Sequence, residues 1–215
     1  MKHLGSQIAY WDGVGATKTF THPVNLNWLA GVSRDARVLD YGCGYGRVMA
    51  ELSEHGFRDV SGVDLSPALI QRGRQLWPDL RFAVLECPPD LTDASGSFDV
   101  VLLFAVLTCV PDGHAQRALV EEVNRVLAPG GVLYVSDLVL QDDERNRSRY
   151  AAYARQSGTP YGLFATDDGA VCRHHDIAEL RALLSDFDLV DERPIEVATM
   201  HGHRSQAVQL LARKR

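Results

Sequence analysis

The chain is expected to adopt an α/β fold, a doubly wound seven-stranded sheet, mostly parallel with a late antiparallel strand. Three observations predict it. From Arg37 to Ser136, short Val- and Leu-rich runs alternate with amphipathic stretches, as parallel strands buried on both faces do when helices cross between them. The first of these runs ends in a glycine-rich turn that opens a helix. After Asp137 two more strand-like runs lie close together near the C-terminal end, which suits a closing hairpin.

Taken in order, Arg37 to Asp40 is the first strand, and Gly46 to His55 the helix after it, closing near Gly56. Val60 to Asp64 is the second strand. Ser66 can cap a helix that starts at Pro67, a good first-turn residue. Leu80 to Leu85 is the third strand and Phe98 to Phe104 a fourth, strongly apolar one, with a weakly helical crossover between them. Gln116 to Leu127 is amphipathic and ends at Pro129-Gly130-Gly131, and Val132 to Ser136 is the fifth strand. Gln141 to Arg149 is dense in charge, and Tyr150 to Phe164 carries aromatics without strand periodicity, so 140–175 reads as an inserted lid lacking regular structure. Asp176 to Phe187 is again an amphipathic helix. Strands near Leu189 to Thr199 and Gln206 to Leu211 complete the seven.

Composition narrows the function classes. The 215 residues suit one domain, 1–215, and the formal charge of −6 gives no electrostatic footprint for nucleic acid or an anionic membrane. No apolar run reaches the length of a membrane span. The first residues lack the apolar stretch of a secretory signal. Cys43, Cys87, Cys109 and Cys172 are scattered, with no Cys-x-x-Cys pair, so neither a disulfide framework nor a metal site is expected. A cytoplasmic location follows as an expectation.

The segment Val38-Leu39-Asp40-Tyr41-Gly42-Cys43-Gly44-Tyr45-Gly46-Arg47 is the most informative. Glycines at alternate positions let the backbone turn sharply and approach a ligand with no Cβ in the way, and the helix start beyond them offers free N–H groups. A dinucleotide-binding turn would have a last glycine where Arg47 stands. The Gly-x-Gly-x-Gly spacing after an acid resembles class I S-adenosylmethionine (SAM)-dependent methyltransferases instead. Val60 to Ser66, Ser97-Phe98-Asp99-Val100-Val101 and Arg125 to Gly131 resemble further motifs of that family, in its order, over roughly residues 35–137. The resemblance implies a Rossmann-like sheet, SAM as cofactor and a small-molecule methyl acceptor as partner.

By that resemblance Asp40 and the backbone of Gly42, Gly44 and Gly46 cradle the methionine end of SAM, Asp64 binds the ribose hydroxyls, Leu65 packs on adenine, and Phe104 lines the methyl group. Arg47 reads equally as a partner of the cofactor carboxylate or as a solvated helix residue. The aspartate that the family often places at the third strand falls on Cys87. Glu86 therefore takes that role by a one-residue shift, or adenine recognition is looser.

The wall after the fourth strand, Phe104 to Cys109, is apolar, so a base has to come from elsewhere. His22, His174 and His175 are the candidates, each also readable as a structural or surface histidine. Tyr10, Trp11 and Phe20, in an N-terminal lid region (1–34), read equally as a cover over the ligands or as a core stripe. With Cys109, Tyr153 and His201 they are the candidate acceptor contacts. The leading expectation is O- or N-methylation of a small aromatic or heterocyclic metabolite. The alternatives are C-methylation of a quinone-like ring and a SAM-binding protein without methyl transfer.

Overall fold

The computed structural model describes residues 8–215; residues 1–7, on which the expected absence of a secretory signal and the start of the lid region fall, lie outside the described residues. Seven strands form the main sheet: β1 (Arg37–Tyr41), β2 (Asp59–Asp64), β3 (Arg81–Val84), β4 (Phe98–Phe104), β5 (Leu127–Leu138), β8 (Phe187–Ala198) and β9 (Arg204–Lys214). Their order is β3-β2-β1-β4-β5-β9-β8. The first five are parallel, and β9 runs antiparallel to both β5 and β8. The helices are α1 (Arg47–Glu54), α2 (Pro67–Leu76), α3 (Gly113–Val126), α4 (Glu144–Ser157) and α5 (Ile177–Leu183).

Side-chain caps start four of these helices, each satisfying one of the N–H groups that a first turn leaves free. Ser66 Oγ accepts from the Leu69 N–H at 3.1 Å, with Pro67 in the first turn. Asp112, Asp143 and Asp176 do the same for α3, α4 and α5. Strand alternation then sorts the core. Val101, Leu103, Leu133 and Val135 pack on α3 and α5, while Val100, Leu102, Val132 and Tyr134 pack on the α1 side. At the start of β1 the Arg37 N–H and guanidinium both donate to Asp99, at 2.9 and 2.8 Å. The acid of the fourth-strand motif thus joins two strands and does not face a ligand.

Three expectations are corrected here. The segment 140–175 is regular: it forms α4 and a small hairpin of β6 (Leu163–Ala165) and β7 (Val171–Arg173). Pro129-Gly130-Gly131 is not a turn before the fifth strand, because β5 already starts at Leu127, which pairs with Phe98. The last two strands are also longer than expected, since their exposed faces are charged and disguise them.

Candidate active site

The chain leaves β1 toward β2 on one side and reaches β4 on the other, so loops diverge between β1 and β4. In such sheets ligands bind there, beyond the carboxyl ends of the strands. A cavity of about 710 Å³ opens at that place, bounded by Tyr41, Gly42, Gly44, Asp64, Leu65 and Phe104 to Val106. Its volume falls in the range of small-molecule sites.

The glycine turn forms the floor. The Gly42 and Cys43 N–H groups both donate to the Val63 carbonyl, at 2.8 and 3.0 Å, which folds the turn back onto β2. Gly42 and Gly44 have φ of +75° and +56°, a region where L side chains are strained. A Cβ on Gly42 would lie 2.6 Å from Val106 Cγ2, and one on Gly44 2.7 Å from Phe20 Cε2. Gly46 serves packing: it lies outside the cavity wall, and a Cβ there would strike the Phe82 ring.

Asp64 accepts from the Gly44 and Ser66 N–H groups, each at 2.9 Å. Burial pushes its carboxyl up to about 6, with those two bonds opposing. Asp40 sits behind the wall, 2 % exposed and outside the cavity lining; burial pushes it to about 7 against the Arg47 charge. Arg47 is partly buried and lies outside the cavity lining. Its guanidinium donates to the His22 carbonyl and to Glu51, bracing the N-terminal segment on α1.

On the β3 side the wall is apolar, made by Leu65, Leu85, Pro88 and Pro89. Glu86 and Cys87 are exposed and not part of it. The apolar wall thus carries no carboxylate from Glu86 on this side. At the end of β4, Ala105 has φ +57° and donates its N–H to the Ser136 carbonyl at 2.7 Å. A non-glycine residue in that region is uncommon, and here it turns Val106 and Cys109 into the cavity wall. Asp137, fully buried behind this wall, accepts from the Thr108 and Leu138 N–H groups at 3.1 and 2.8 Å, and burial pushes it to about 7.

The histidines divide. His22 lines the cavity with Nδ1 2.9 Å from Ser136 Oγ; burial, with the Arg47 charge, lowers it to about 4. His174 also lines the cavity, and its Nδ1 lies 2.6 Å from the Tyr150 hydroxyl. The same oxygen accepts from the Gln141 N–H at 3.3 Å and lies 3.5 Å from Asn146 Oδ1, so Tyr150, His174 and Asn146 form one buried polar cluster. Burial, with Arg149 nearby, lowers His174 to about 3. His175 is outside the cavity lining. Its Nε2 meets the Gln116 amide at 2.8 Å and Nδ1 faces the Leu138 carbonyl at 3.4 Å, which makes it a core residue.

The roof comes from segments far apart in sequence. Asp168, after β6, accepts from Tyr10 (3.1 Å) and Thr166 (2.7 Å), and meets Lys18 Nζ (2.8 Å) and His201 Nε2 (2.9 Å). Against the upward push of burial, these partners hold its carboxyl well below the usual range. Trp11 and Phe20 line the cavity, and Phe20 stacks on Tyr45 with ring centres 5.5 Å apart. Cys109 and His201 line it too, whereas Tyr153 does not and the Tyr10 ring packs behind it. Sequence reasoning missed Asp168, Arg145 and Arg149. The i,i+4 spacing of the two arginines was the available signal, while nothing local marks Asp168.

A sheet in this order, with a carboxylate-held glycine turn at its switch point, is the fold of class I SAM-dependent methyltransferases. The family described as Methyltransferase domain matches residues 20–193, and the chain belongs to it. It is 32 % identical over 141 residues to a ubiquinone biosynthesis O-methyltransferase of Xanthomonas oryzae pv. oryzae, covering 60 % of this chain and 56 % of the relative. It is 36 % identical over 151 residues to a 2-methyl-6-phytyl-1,4-hydroquinone methyltransferase of Synechocystis, covering 66 % of this chain and 45 % of that one. The chain thus spans about half the length of these curated relatives. A SAM-dependent methyltransferase structure from Methanosarcina mazei superposes with a TM-score of 0.81 at 25 % identity, over 92 % of this chain and 98 % of that one. No helix among the described residues is long and apolar enough to cross a membrane.

Proposed function

We propose that this protein transfers the methyl group of SAM to an oxygen or nitrogen atom of a small aromatic or heterocyclic metabolite. The observation that carries the reading is one continuous cavity, lined by the side-chain-free Gly42 and Gly44 and the carboxylate of Asp64 and also by Cys109, Phe164 and His174. The residues present fit the cofactor: a Cβ would fill the cradle, and Asp64 keeps acceptor capacity beyond its two N–H partners.

When bound, SAM supplies a methyl group already activated by the sulfonium. The protein's part is then to position and desolvate. Gly42 and Gly44 would let the backbone come close, Asp64 would accept from the ribose hydroxyls, and the apolar wall of Leu65, Leu85, Pro88 and Pro89 would hold the adenine. His22 and His174 are neutral at pH 7, and their lowered pKa values make them weak bases. They orient the acceptor. Weak bases favour an acceptor atom that ionises by itself or already has a free lone pair, such as a phenolate or a ring nitrogen. C-methylation of a quinone-like ring is the second reading, supported by the similarity to the hydroquinone methyltransferase.

The test is turnover of SAM to S-adenosylhomocysteine with panels of phenols, ring amines and hydroquinones, alongside calorimetry with S-adenosylhomocysteine. Micromolar binding and release of the demethylated cofactor with one panel are expected. Failure to bind S-adenosylhomocysteine overturns the reading.

A further inference from the structure

The cavity is also lined by two cations that no role above uses. Arg145 and Arg149 stand four residues apart on α4, on one helix face, and both line the cavity. Like charges so placed repel and cost a helix stability. Neither forms an ion pair among the described residues. The neighbouring carboxylates are already engaged: Asp142 with Arg147, Asp143 at the α4 cap, Asp137 with the Thr108 and Leu138 N–H groups, Asp168 with Lys18 and His201. Asp167, exposed in the β6–β7 turn, pairs with neither.

Arg149 is the more informative of the two. Its guanidinium lies flat over Phe164, with Cζ 3.4 Å from the ring centre, and its Nε is buried without a hydrogen-bond partner. Stacking satisfies the face of a guanidinium and leaves its edge of N–H donors free. Burial lowers its pKa, the Tyr150 oxygen opposing and the Arg145 charge adding. A half-buried cation whose Nε has no hydrogen-bond partner, beside a second cation, is costly to the free protein. The sulfonium of the bound cofactor would bring a further positive charge to the same cavity.

We propose that the methyl acceptor carries an oxyanion, a carboxylate or a phosphate, that seats on the Nε edge of Arg149, with Arg145 at the mouth and the acceptor's flat body toward Phe164. This rests on the methyltransferase reading of the cavity. Fork-shaped donors match two oxygens of such a group at once, and one anion between the two arginines relieves their repulsion. The geometry therefore selects acceptors by charge as well as by shape.

The experiment uses the full chain saturated with S-adenosylhomocysteine, so that the cofactor end is filled, and titrates benzoate, phenyl phosphate and neutral benzamide by calorimetry. Benzoate or phenyl phosphate should bind about tenfold or more tightly than benzamide, as expected for charge-assisted pairing, and the tighter of the two names the oxyanion. Arg149→Gln should abolish that preference while leaving S-adenosylhomocysteine and benzamide affinities unchanged. Arg149→Lys, which keeps charge but not the fork, should recover only part of it. Should Arg149→Gln fail to fold, the lysine variant and Arg145→Gln carry the same comparison. Equal binding of benzoate, phenyl phosphate and benzamide to the wild type, or an undiminished preference in the folded variants, overturns the proposal. Loss of S-adenosylhomocysteine binding in the wild type is the separate failure of the methyltransferase reading.

Discussion

Replacing Gly44 by alanine tests the floor of the site in a single methyl group. The backbone there has φ +56°, and an L residue held in that left-handed region costs roughly 1–2 kcal/mol. The new Cβ would stand 2.7 Å from Phe20 Cε2, whereas carbon atoms rest about 3.5–4 Å apart, so the Phe20 ring must retreat by about 1 Å. That ring is stacked on Tyr45 and edge-on to Trp11, with centres 5.5 and 6.0 Å away. Loosening one such aromatic contact adds roughly 0.5–1.5 kcal/mol. The total is about 2–3 kcal/mol, and at about 2–4 °C per kcal/mol for a chain of this size the thermal midpoint should drop by roughly 4–12 °C. Affinity for S-adenosylhomocysteine should fall with it, since Phe20 lines the same cavity. Thermal denaturation and calorimetry of Gly44→Ala, Phe20→Ala and the double variant make the assay. In the Phe20→Ala background the glycine change should cost only its backbone share, so the two effects should not add. A midpoint within a degree of wild type, or strict additivity, would refute the reasoning.

Two other outcomes are expected. The Asp64 carboxyl, pushed up to about 6 from its usual 3.8, binds its proton more tightly in the folded chain than in the unfolded one. Its contribution to the stability of the free protein is therefore full below about pH 4 and lost as pH rises through about 6. Ribose hydroxyls need the ionised form, so affinity for S-adenosylhomocysteine should weaken as pH falls below 6; Asp64→Asn should bind more weakly at neutral pH and lose that dependence, read by calorimetry between pH 5 and 8. His175→Ala should leave the Gln116 amide with one partner fewer and cost about 1–3 kcal/mol in denaturant unfolding, with cofactor affinity unchanged; a fall in cofactor affinity alone would count against its core role.

Residues 37–137 were largely legible because strands buried on both faces must be written in unbroken apolar residues. Val100 to Leu103, all at most 1 % exposed, admit few alternatives. The glycine turn was legible for a related reason: only residues without a side chain fit beside Val106 and Phe20. The stretch after Asp137 hid its structure. Helix α4 buries only Asn146 and Tyr150 fully, so it shows no apolar stripe, and strands of three residues are too short for an alternation to register. Counting back from Phe98 fixes the position of Glu86 in sequence but not the way the Pro88-Pro89 loop bends, which leaves Glu86 exposed and outside the cavity lining. The histidine pair illustrates the limit well. Adjacent residues of an extended segment point apart, so one of the two had to leave the cavity, but only the packing of Tyr150 and Gln116 decides which.

The Asp168 cluster has a kinetic consequence. It joins residues 10 and 18, near one end of the chain, to residue 201, near the other, and so acts as a non-covalent clasp around almost the whole polypeptide. Contacts that span so much sequence wait until the intervening chain is ordered. They are among the last to form and belong to the native state more than to the folding barrier. Interactions of that kind govern how fast a protein comes apart and hardly touch how fast it assembles. The segment around residues 10 to 18, of a kind that ordinarily peels away first from a domain, is here held by the turn between the last strands to be made, and the lifetime of the folded chain is tied to the closure of its own cavity.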